Sequence, residues 1–281
     1  KHDAPLTSDL DGVARSVSHW VRRATDGSMV GALGAEAISV ARTGKIATVV
    51  LQADAAWGES GSSITKAASP APKYRPDNAR IAAAARALQE PGAALLANGP
   101  ALFGDGAELA GQIAARTGCR LIAPFFAPRI ARGEGAVAFD MMPYPADASA
   151  EFLAGVTRIV LVGADPPVNF FAYPGKPSTP ETPGCPINQL CFADWDVLWT
   201  LQALAKAADV DGQETVARIK RQVPPAQSGT LTAEGVGRAL ARAIPDGAIM
   251  VNEAVTAGFD IWPPVNAAAA HDRINNTGGS I

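Results

Sequence analysis

Between residues 77 and 208, short apolar runs alternate with longer stretches in which apolar residues recur at helical spacing. Strands that alternate with helices of about 10–15 residues favour a parallel sheet with helices on both faces. The predicted fold class is therefore α/β, with a complete doubly wound, Rossmann-like domain at 78–208. The predicted helices are 77–89, 105–117, 145–154 and 195–208, and the predicted strands are 93–97, 119–123, 158–163 and 187–191.

The sequence on either side of this domain predicts only parts of further α/β domains. Residues 28–42 have helical spacing, and residues 46–51 form a β-branched run typical of a buried parallel strand. After the central domain we expect a helix at 233–243, a strand at 248–252 and a loop at 255–266. Segments rich in proline and polar residues are interpreted as linkers. The predicted domains and linkers are 1–60, 61–77 (linker), 78–208, 209–229 (linker) and 230–281.

Composition argues against several classes of function. The net charge of −3 gives no basic surface of the kind that binds nucleic acid or anionic membranes. No apolar run approaches the roughly 20 residues of a membrane-spanning helix. The three cysteines show no CxxC spacing and the three histidines are isolated. Free thiols in a cytoplasmic protein, and no metal site, are therefore expected.

The predicted binding loops are 98–104, 124–133 and 164–177, because doubly wound folds bind ligands beyond the carboxyl ends of their strands. The first loop contains the sequence GPALFGDG, which begins at Gly99 and opens a predicted helix. Two interpretations of it stay open. Gly99 and its neighbours either contact a nucleotide phosphate at the helix N-terminus or form a plain glycine turn.

Polar residues at two strand ends are further candidates. Asp165 directly follows the strand at 158–163, where a carboxylate can accept a hydrogen bond from a ribose hydroxyl. The aromatic loop after it either packs on a neighbouring domain or covers the mouth of a nucleotide or substrate site. Asn252 and Glu253 lie where the last predicted strand ends, and Thr256 follows closely behind them.

Several motifs together resemble the thiamine-diphosphate-dependent enzymes. The resemblance is to the acetolactate synthase large-subunit type, which is also similar to benzoylformate decarboxylase, and it covers the whole chain. It implies that 1–60 is the back half of a pyrimidine-binding domain, 78–208 a central Rossmann-type domain, and 230–281 the front of a diphosphate-binding domain. The motifs are DAPLTSD with RSVSHWV, TVVLQADAAWGE, LVGADPPVNFFAYPGKPS, and PDGAIMVNEAVT followed by TGGSI.

The resemblance implies roles for residues near the end of the chain. Thr256 falls where the family contacts the cofactor diphosphate, and Glu253 falls near the substrate. Gly279 falls where a backbone carbonyl meets the aminopyrimidine ring. Ser280 belongs to the same cofactor-binding turn, and Ile281 is the aliphatic wedge that bends the cofactor.

Two parts that the family needs are expected outside this chain. One is the glutamate that protonates the pyrimidine ring, upstream of Lys1, and the other is the GDG…N motif for Mg²⁺, beyond Ile281. The GDG at 104–106 is not interpreted as that motif, because its partner asparagine is absent from 128–136. The chain is therefore expected to be a fragment of an enzyme, inactive by itself, with no metal ligand and no assigned catalytic residue except Glu253 near the substrate.

For the whole enzyme, the resemblance implies decarboxylation of a 2-oxo acid and its ligation to a second one, with thiamine diphosphate and Mg²⁺ as cofactors. FAD on the central domain stays open. Two alternatives remain, namely a non-oxidative decarboxylase of the benzoylformate decarboxylase type and a non-catalytic nucleotide-binding or packing module. The expected assembly is a homodimer or homotetramer, without nucleic acid or membrane partners.

Overall fold

The computed structural model describes residues 5–61, 64–69 and 72–275. Contacts divide the chain into two units, Lys1–Lys73 and Tyr74–Ile281. Within the part that is described, no helix is long and apolar enough to cross a membrane.

The first unit is a small α/β element built on two parallel strands. The helix predicted at 28–42 and the strand predicted at 46–51 are both present, but the parallel partner strand was not predicted. Ala24, Leu33 and Ala55 form its small buried core. The helices and strands are α1 Leu10–Val17, β1 Trp20–Ala24, α2 Val30–Ala41, β2 Ala47–Leu51 and α3 Ala53–Trp57.

The second unit contains a five-stranded sheet in which every strand pair is parallel, in the order β6-β4-β3-β7-β8. The predicted α/β fold with a parallel sheet is therefore confirmed. The short strands β5 and β6 were not predicted, and β5 lies outside this sheet. The elements of this part are α4 Asn78–Leu88, β3 Ala93–Ala97, α5 Gly104–Thr117, β4 Arg120–Ala123, β5 Arg129–Arg132, β6 Asp140–Met141, α6 Ala146–Phe152, β7 Arg158–Val162, β8 Ile187–Cys191 and α7 Val197–Ala207.

Both faces of this sheet are buried, because side chains alternate across each strand. On β3, Leu95 lies in a core shared with α4, α5 and α7. Its neighbour Leu96 lies in the core on the other face, which contains Leu153 at the end of α6. Strands buried on both sides have nearly continuous apolar sequences, which is why β3 and β7 were predicted so closely.

The second unit also contains a sheet of three strands, in the order β5-β10-β9. Its central strand β10 is parallel to β9 and antiparallel to β5. The helix predicted at 233–243 and the strand predicted at 248–252 are confirmed. The loop predicted at 255–266 is wrong, because much of it is helical. The elements are α8 Ala233–Ala243, β9 Ala248–Asn252, α9 Gly258–Val265 and β10 His271–Asn275.

The helix α9 forms although it contains Pro263 and Pro264. A proline inside a helix removes a hydrogen bond and costs about 3 kcal/mol or more. Here Val265 is fully buried, and Trp262 packs on the core that α8 and β9 share. Tertiary packing therefore outweighs the local preference for a loop.

The segment predicted as the second linker, 209–229, is hydrogen-bonded to the residues around it. The Ala138 amide donates to Ala217 at 2.9 Å, and the Ile219 amide donates to Ala136 at 2.9 Å. Arg218 forms two hydrogen bonds with the Glu108 carboxylate, at 2.8 and 2.7 Å. The exact domain boundaries stay a prediction, but this segment is attached rather than free.

Candidate functional site

A cavity of about 230 Å³ lies at the carboxyl ends of the central strands. Asn98 follows β3, Pro124 follows β4 and Ala164 follows β7, and all three line it. The chain runs from β3 outward to β4 and β6 and then returns to β7 on the other side of β3. Doubly wound folds bind ligands at such a switch point. Each of the three predicted binding loops contributes to this cavity.

Aromatic side chains form one wall of the cavity. The rings of Phe126 and Phe170 are 5.3 Å apart, and those of Tyr144 and Phe170 are 5.6 Å apart. Phe125 lies 5.3 Å from Tyr144. Ring centroids at such distances are typical of favourable aromatic pairs. The wall suits a flat, largely apolar ring system.

The polar groups at the cavity are few. Asp165 lines it with an exposed carboxylate. The Oδ1 atom of Asn98 is buried and accepts no hydrogen bond from the described residues. Desolvation, helped by Tyr173, raises the pKa of Tyr144, so its phenol stays protonated and is a hydrogen-bond donor at neutral pH.

Gly99 does not itself line the cavity, although its neighbour Asn98 does. Gly99 starts a short 3₁₀ turn with φ +62°. Gly106 has no room for a side chain, because a Cβ atom there would lie 2.0 Å from the Pro100 carbonyl oxygen. The glycine turn therefore has a structural explanation, and a phosphate contact at Gly99 stays a prediction.

The end of β9 carries a network of amide side chains. The Oδ1 atom of Asn252 accepts hydrogen bonds from the Ala254 amide and the Trp262 indole, both at 3.0 Å. Its Nδ2 atom donates to Asn275 Oδ1 at 2.8 Å, and Asn275 donates in turn to the Ala127 carbonyl at 2.7 Å. This network joins the ends of β9 and β10 to the loop after β4.

Glu253 and Thr256 are exposed beside this network. Thr256 precedes α9 by two residues, and no side chain caps that helix at Ala257. Backbone N–H groups at a helix start and an adjoining hydroxyl suit a phosphate oxygen. The residues at this position therefore fit the expected diphosphate contact, while their roles stay predictions.

Phe259 of α9 lies between the aromatic cavity and the end of β9. Its ring lies 6.2 Å from Phe125 and 6.4 Å from Tyr144. The aromatic wall therefore continues to the helix that follows Thr256. Sequence reasoning missed Phe259, since its segment was predicted to be a loop and nothing in the pattern links it to Phe125.

Three predicted cofactor residues, Gly279, Ser280 and Ile281, lie outside the described residues. Over residues 5–61, 64–69 and 72–275, no group of three His, Cys, Asp or Glu side chains is arranged to hold a metal ion.

Comparison with known proteins gives one curated relative. The Mycobacterium tuberculosis protein described as "Putative acetolactate synthase large subunit IlvX" is 36% identical over 283 residues, covering 100% of this chain and 54% of that protein. The chain is therefore similar in sequence to this relative along its whole length. It spans about half the length of this relative. No family model matches the chain.

Solved structures of thiamine-diphosphate-dependent enzymes share the fold. The 4-hydroxybenzoylformate decarboxylase of Rhodococcus jostii RHA1 matches 98% of this chain and 55% of its own, with a TM-score of 0.66 and 17% identity. Benzoylformate decarboxylase from Polynucleobacter necessarius matches 99% and 55%, with a TM-score of 0.68 and 16% identity. At these identities the likeness concerns the fold alone.

Proposed function

We propose that this chain is part of a thiamine-diphosphate-dependent enzyme that decarboxylates a 2-oxo acid and ligates the product to a second one, as acetolactate synthases do. The 36% identity to the curated relative along the whole chain carries this proposal. The exposed Thr256 beside the start of α9 supports it, because the hydroxyl and the helix end are suited to a diphosphate.

Each proposed site residue has a separate task. Thr256 binds a diphosphate oxygen, the Gly279 carbonyl meets the aminopyrimidine ring, Ser280 belongs to the same cofactor-binding turn, and Ile281 is the wedge that bends the cofactor. Glu253 lies at the substrate side of the same strand end. The bound cofactor supplies an electron sink for decarboxylation. Mg²⁺ belongs to the proposal as well, with ligands that lie outside the described residues.

The proposal extends to assembly and location. A cofactor held between the first domain of one subunit and the third domain of another requires at least a dimer, so we propose a homodimer or homotetramer. A monomer mass measured by light scattering for the active enzyme would contradict this. All three cysteines are free, which supports a cytoplasmic protein.

The deciding experiment compares the 281-residue chain with the longer enzyme that the proposal implies. With excess Mg²⁺, calorimetry should show no micromolar binding of thiamine diphosphate to the chain alone, and pyruvate should release no CO₂. The longer enzyme should bind thiamine diphosphate with micromolar affinity and release CO₂ from pyruvate. In it, Thr256→Val should weaken cofactor binding about tenfold, as expected for one hydrogen bond to a charged group, while Thr256→Ser should retain it. Failure of the longer enzyme to bind the cofactor would refute the proposal.

The aromatic cavity favours a second candidate function. Its wall of Phe125, Phe126, Tyr144 and Phe170 suits either a flavin or adenine ring, with Asp165 accepting a ribose hydroxyl, or an aryl 2-oxo acid of a decarboxylase. Titrating the chain with FAD, ADP and benzoylformate separates these. Asp165→Asn should weaken only nucleotide binding, and Phe170→Ala should weaken either ligand. If none of the three binds, the cavity is a packing feature.

A further inference from the structure

Three basic side chains share one face of the three-stranded sheet. Arg132 on β5 is directly paired with His271 on β10, and Arg273 follows two residues later on the same strand. Paired residues and residues two apart lie on the same face of a sheet. The three residues are 4%, 5% and 6% exposed, respectively. We call Arg132, His271 and Arg273 the basic cluster.

Several nitrogen atoms of the basic cluster lack hydrogen-bond partners. Four of its nitrogen atoms are buried with no hydrogen-bond partner among the described residues, namely Nε and Nη2 of Arg132, Nε of Arg273 and Nε2 of His271. Arg273 donates one hydrogen bond, to Asn266 Oδ1 at 3.0 Å, and its guanidinium lies over the Trp262 ring. No ion pair with a carboxylate is found for either arginine in the part of the chain that the structure describes.

The segment before β10 supplies no negative charge to the cluster, and Glu134, two residues after Arg132, is exposed and pairs with Arg221. The segment 267–270, which precedes β10, consists of four alanines. It packs so closely on β5 that a Cβ atom at Gly133 would lie 2.1 Å from the Ala269 carbonyl oxygen. Asp272 points to the other face of the sheet, where it pairs with Arg129.

His271 has a defined tautomer in this arrangement. Its Nδ1 atom lies 2.8 Å from the Ala269 carbonyl oxygen, which can only accept, so Nδ1 carries the proton. In the neutral ring Nε2 is then an unprotonated acceptor, and it becomes a donor when the ring is protonated. The charged groups acting on the ring are Arg132, Arg273 and Asp272.

Arg132 and His271 lie away from the sites described above, and Arg273 adjoins the Asn252 network only through the Trp262 ring. His271 begins β10, whereas Asn275 ends it beside Asn252. At about 3.3 Å per residue, the two ends of the strand are roughly 13 Å apart. Neither Arg132 nor His271 lines the aromatic cavity.

We propose that Arg132, His271 and Arg273 form a binding site for a phosphate-sized oxyanion. Two guanidinium groups and an imidazolium on one sheet face offer several N–H donors, which matches an anion with several acceptor oxygens. Buried charges in proteins are normally paired, and the anion provides the pairing that the described residues lack. Protonation of His271 adds a donor, so anion binding takes up a proton.

Sulfate is a suitable probe, because it has the shape of phosphate and keeps its charge between pH 5.5 and 8. Thermal unfolding of the full chain at constant ionic strength should show a saturable rise of the melting temperature with millimolar sulfate. Arg132→Gln and Arg273→Gln should each lower the sulfate affinity at least tenfold. Arg129→Gln, on the same strand but the opposite face, should leave it unchanged.

A second measurement guards against variants that fold poorly. The ³¹P line width of inorganic phosphate should broaden with the wild-type chain and with Arg129→Gln, but not with Arg132→Gln. The sulfate affinity should rise as the pH falls from 7.5 to 6, and His271→Asn should abolish that rise. A non-saturating response to sulfate, or an equal response in Arg132→Gln and wild type, would overturn the proposal. Equal saturation by acetate would also overturn it, as the site would then be one for carboxylates.

Discussion

Arg129 and Arg132 lie three residues apart on β5 and have opposite surroundings. Arg129 is about half exposed, forms an ion pair with Asp272 at 2.6 Å and stacks over Phe103. Arg132 is buried beside Arg273. Burial, and to a smaller extent the positive charge of Arg273, lower the pKa of Arg132 to about 9. It still carries a charge at neutral pH. The sequence motif PRIAR gave no sign of this difference, because which face of a short polar strand is buried depends on the partner strand.

Replacing Arg132 with methionine should therefore stabilise the chain in buffer without phosphate or sulfate. The long apolar side chain fills the same space and removes a buried, unpaired charge, so we expect the free energy of unfolding to rise by about 1–3 kcal/mol. Urea unfolding measures it. Arg129→Met is the control and should lower stability by at most about 1 kcal/mol, as for an exposed ion pair. A loss of stability in Arg132→Met would contradict this.

The pH dependence of stability should reflect His271. Desolvation, with smaller effects of Arg273 and Arg132, lowers the pKa of its imidazole in the folded state. Above about pH 6.5 the ring is neutral in both states and does not affect stability. Below that pH the unfolded chain takes up the proton first, so stability falls until the folded-state pKa is passed. Urea unfolding from pH 7.5 to 5 without oxyanions should show this loss, and an equally steep loss in His271→Asn would refute the assignment.

At the scale of elements, the sequence predicted those whose pattern is local. The predicted boundaries of β3, β8, α8 and β9 agree with the structure, because the apolar pattern that defines each of them lies within the element itself. The strand β10, with the sequence HDRIN, was missed since it has few β-forming residues and is held between β5 and β9. In the candidate site, the three loops and Asp165 were predicted, but the contribution of Phe259 depends on the unpredicted helix α9.

The crossing of α8 and α9 requires a glycine. A Cβ atom at Gly237 would lie 2.4 Å from the Ile261 carbonyl oxygen and 2.9 Å from Pro264 Cγ. Gly237→Ala should lower the free energy of unfolding by about 1–3 kcal/mol, because overpacking outweighs the gain in helix propensity. At Gly34 in α2 a Cβ atom meets nothing within 4 Å, so Gly34→Ala should raise stability by about 0.5–1 kcal/mol. Chemical denaturation of both variants measures these changes. Changes of the same sign in the free energy of unfolding would contradict the prediction.

At the scale of the whole molecule, the described chain exposes apolar side chains on its edge elements. Ile249 and Val251 of β9 are 64% and 70% exposed and lie on one face of an edge strand. In the first unit, Val13 and Val17 of α1 are similarly exposed. Exposed apolar faces beside an unpaired strand edge favour association with other chains.

The 281-residue chain should therefore self-associate in solution. Ile249→Thr combined with Val251→Thr removes the apolar face of β9 while keeping β-branched side chains, so we expect a clear fall in the weight-average mass at a given concentration. Light scattering over a concentration series measures it. Leu231→Ser, a single exposed apolar residue outside the sheet, is the control and should change the mass little. An unchanged mass in the double variant would exclude β9 as the contact.

The pairing of β5 with β10 also has a consequence for how the chain folds. Arg129 and Asp272, which bridge these strands, are 143 positions apart in the sequence. Closing so long a loop costs conformational entropy before the contact can stabilise anything, and such non-local pairs slow folding. The five-stranded sheet, whose strands follow each other closely, is expected to form first. During synthesis β5 then stays unpaired beside the five-stranded sheet until β10 has been translated. The basic cluster is therefore among the last parts of the chain to form.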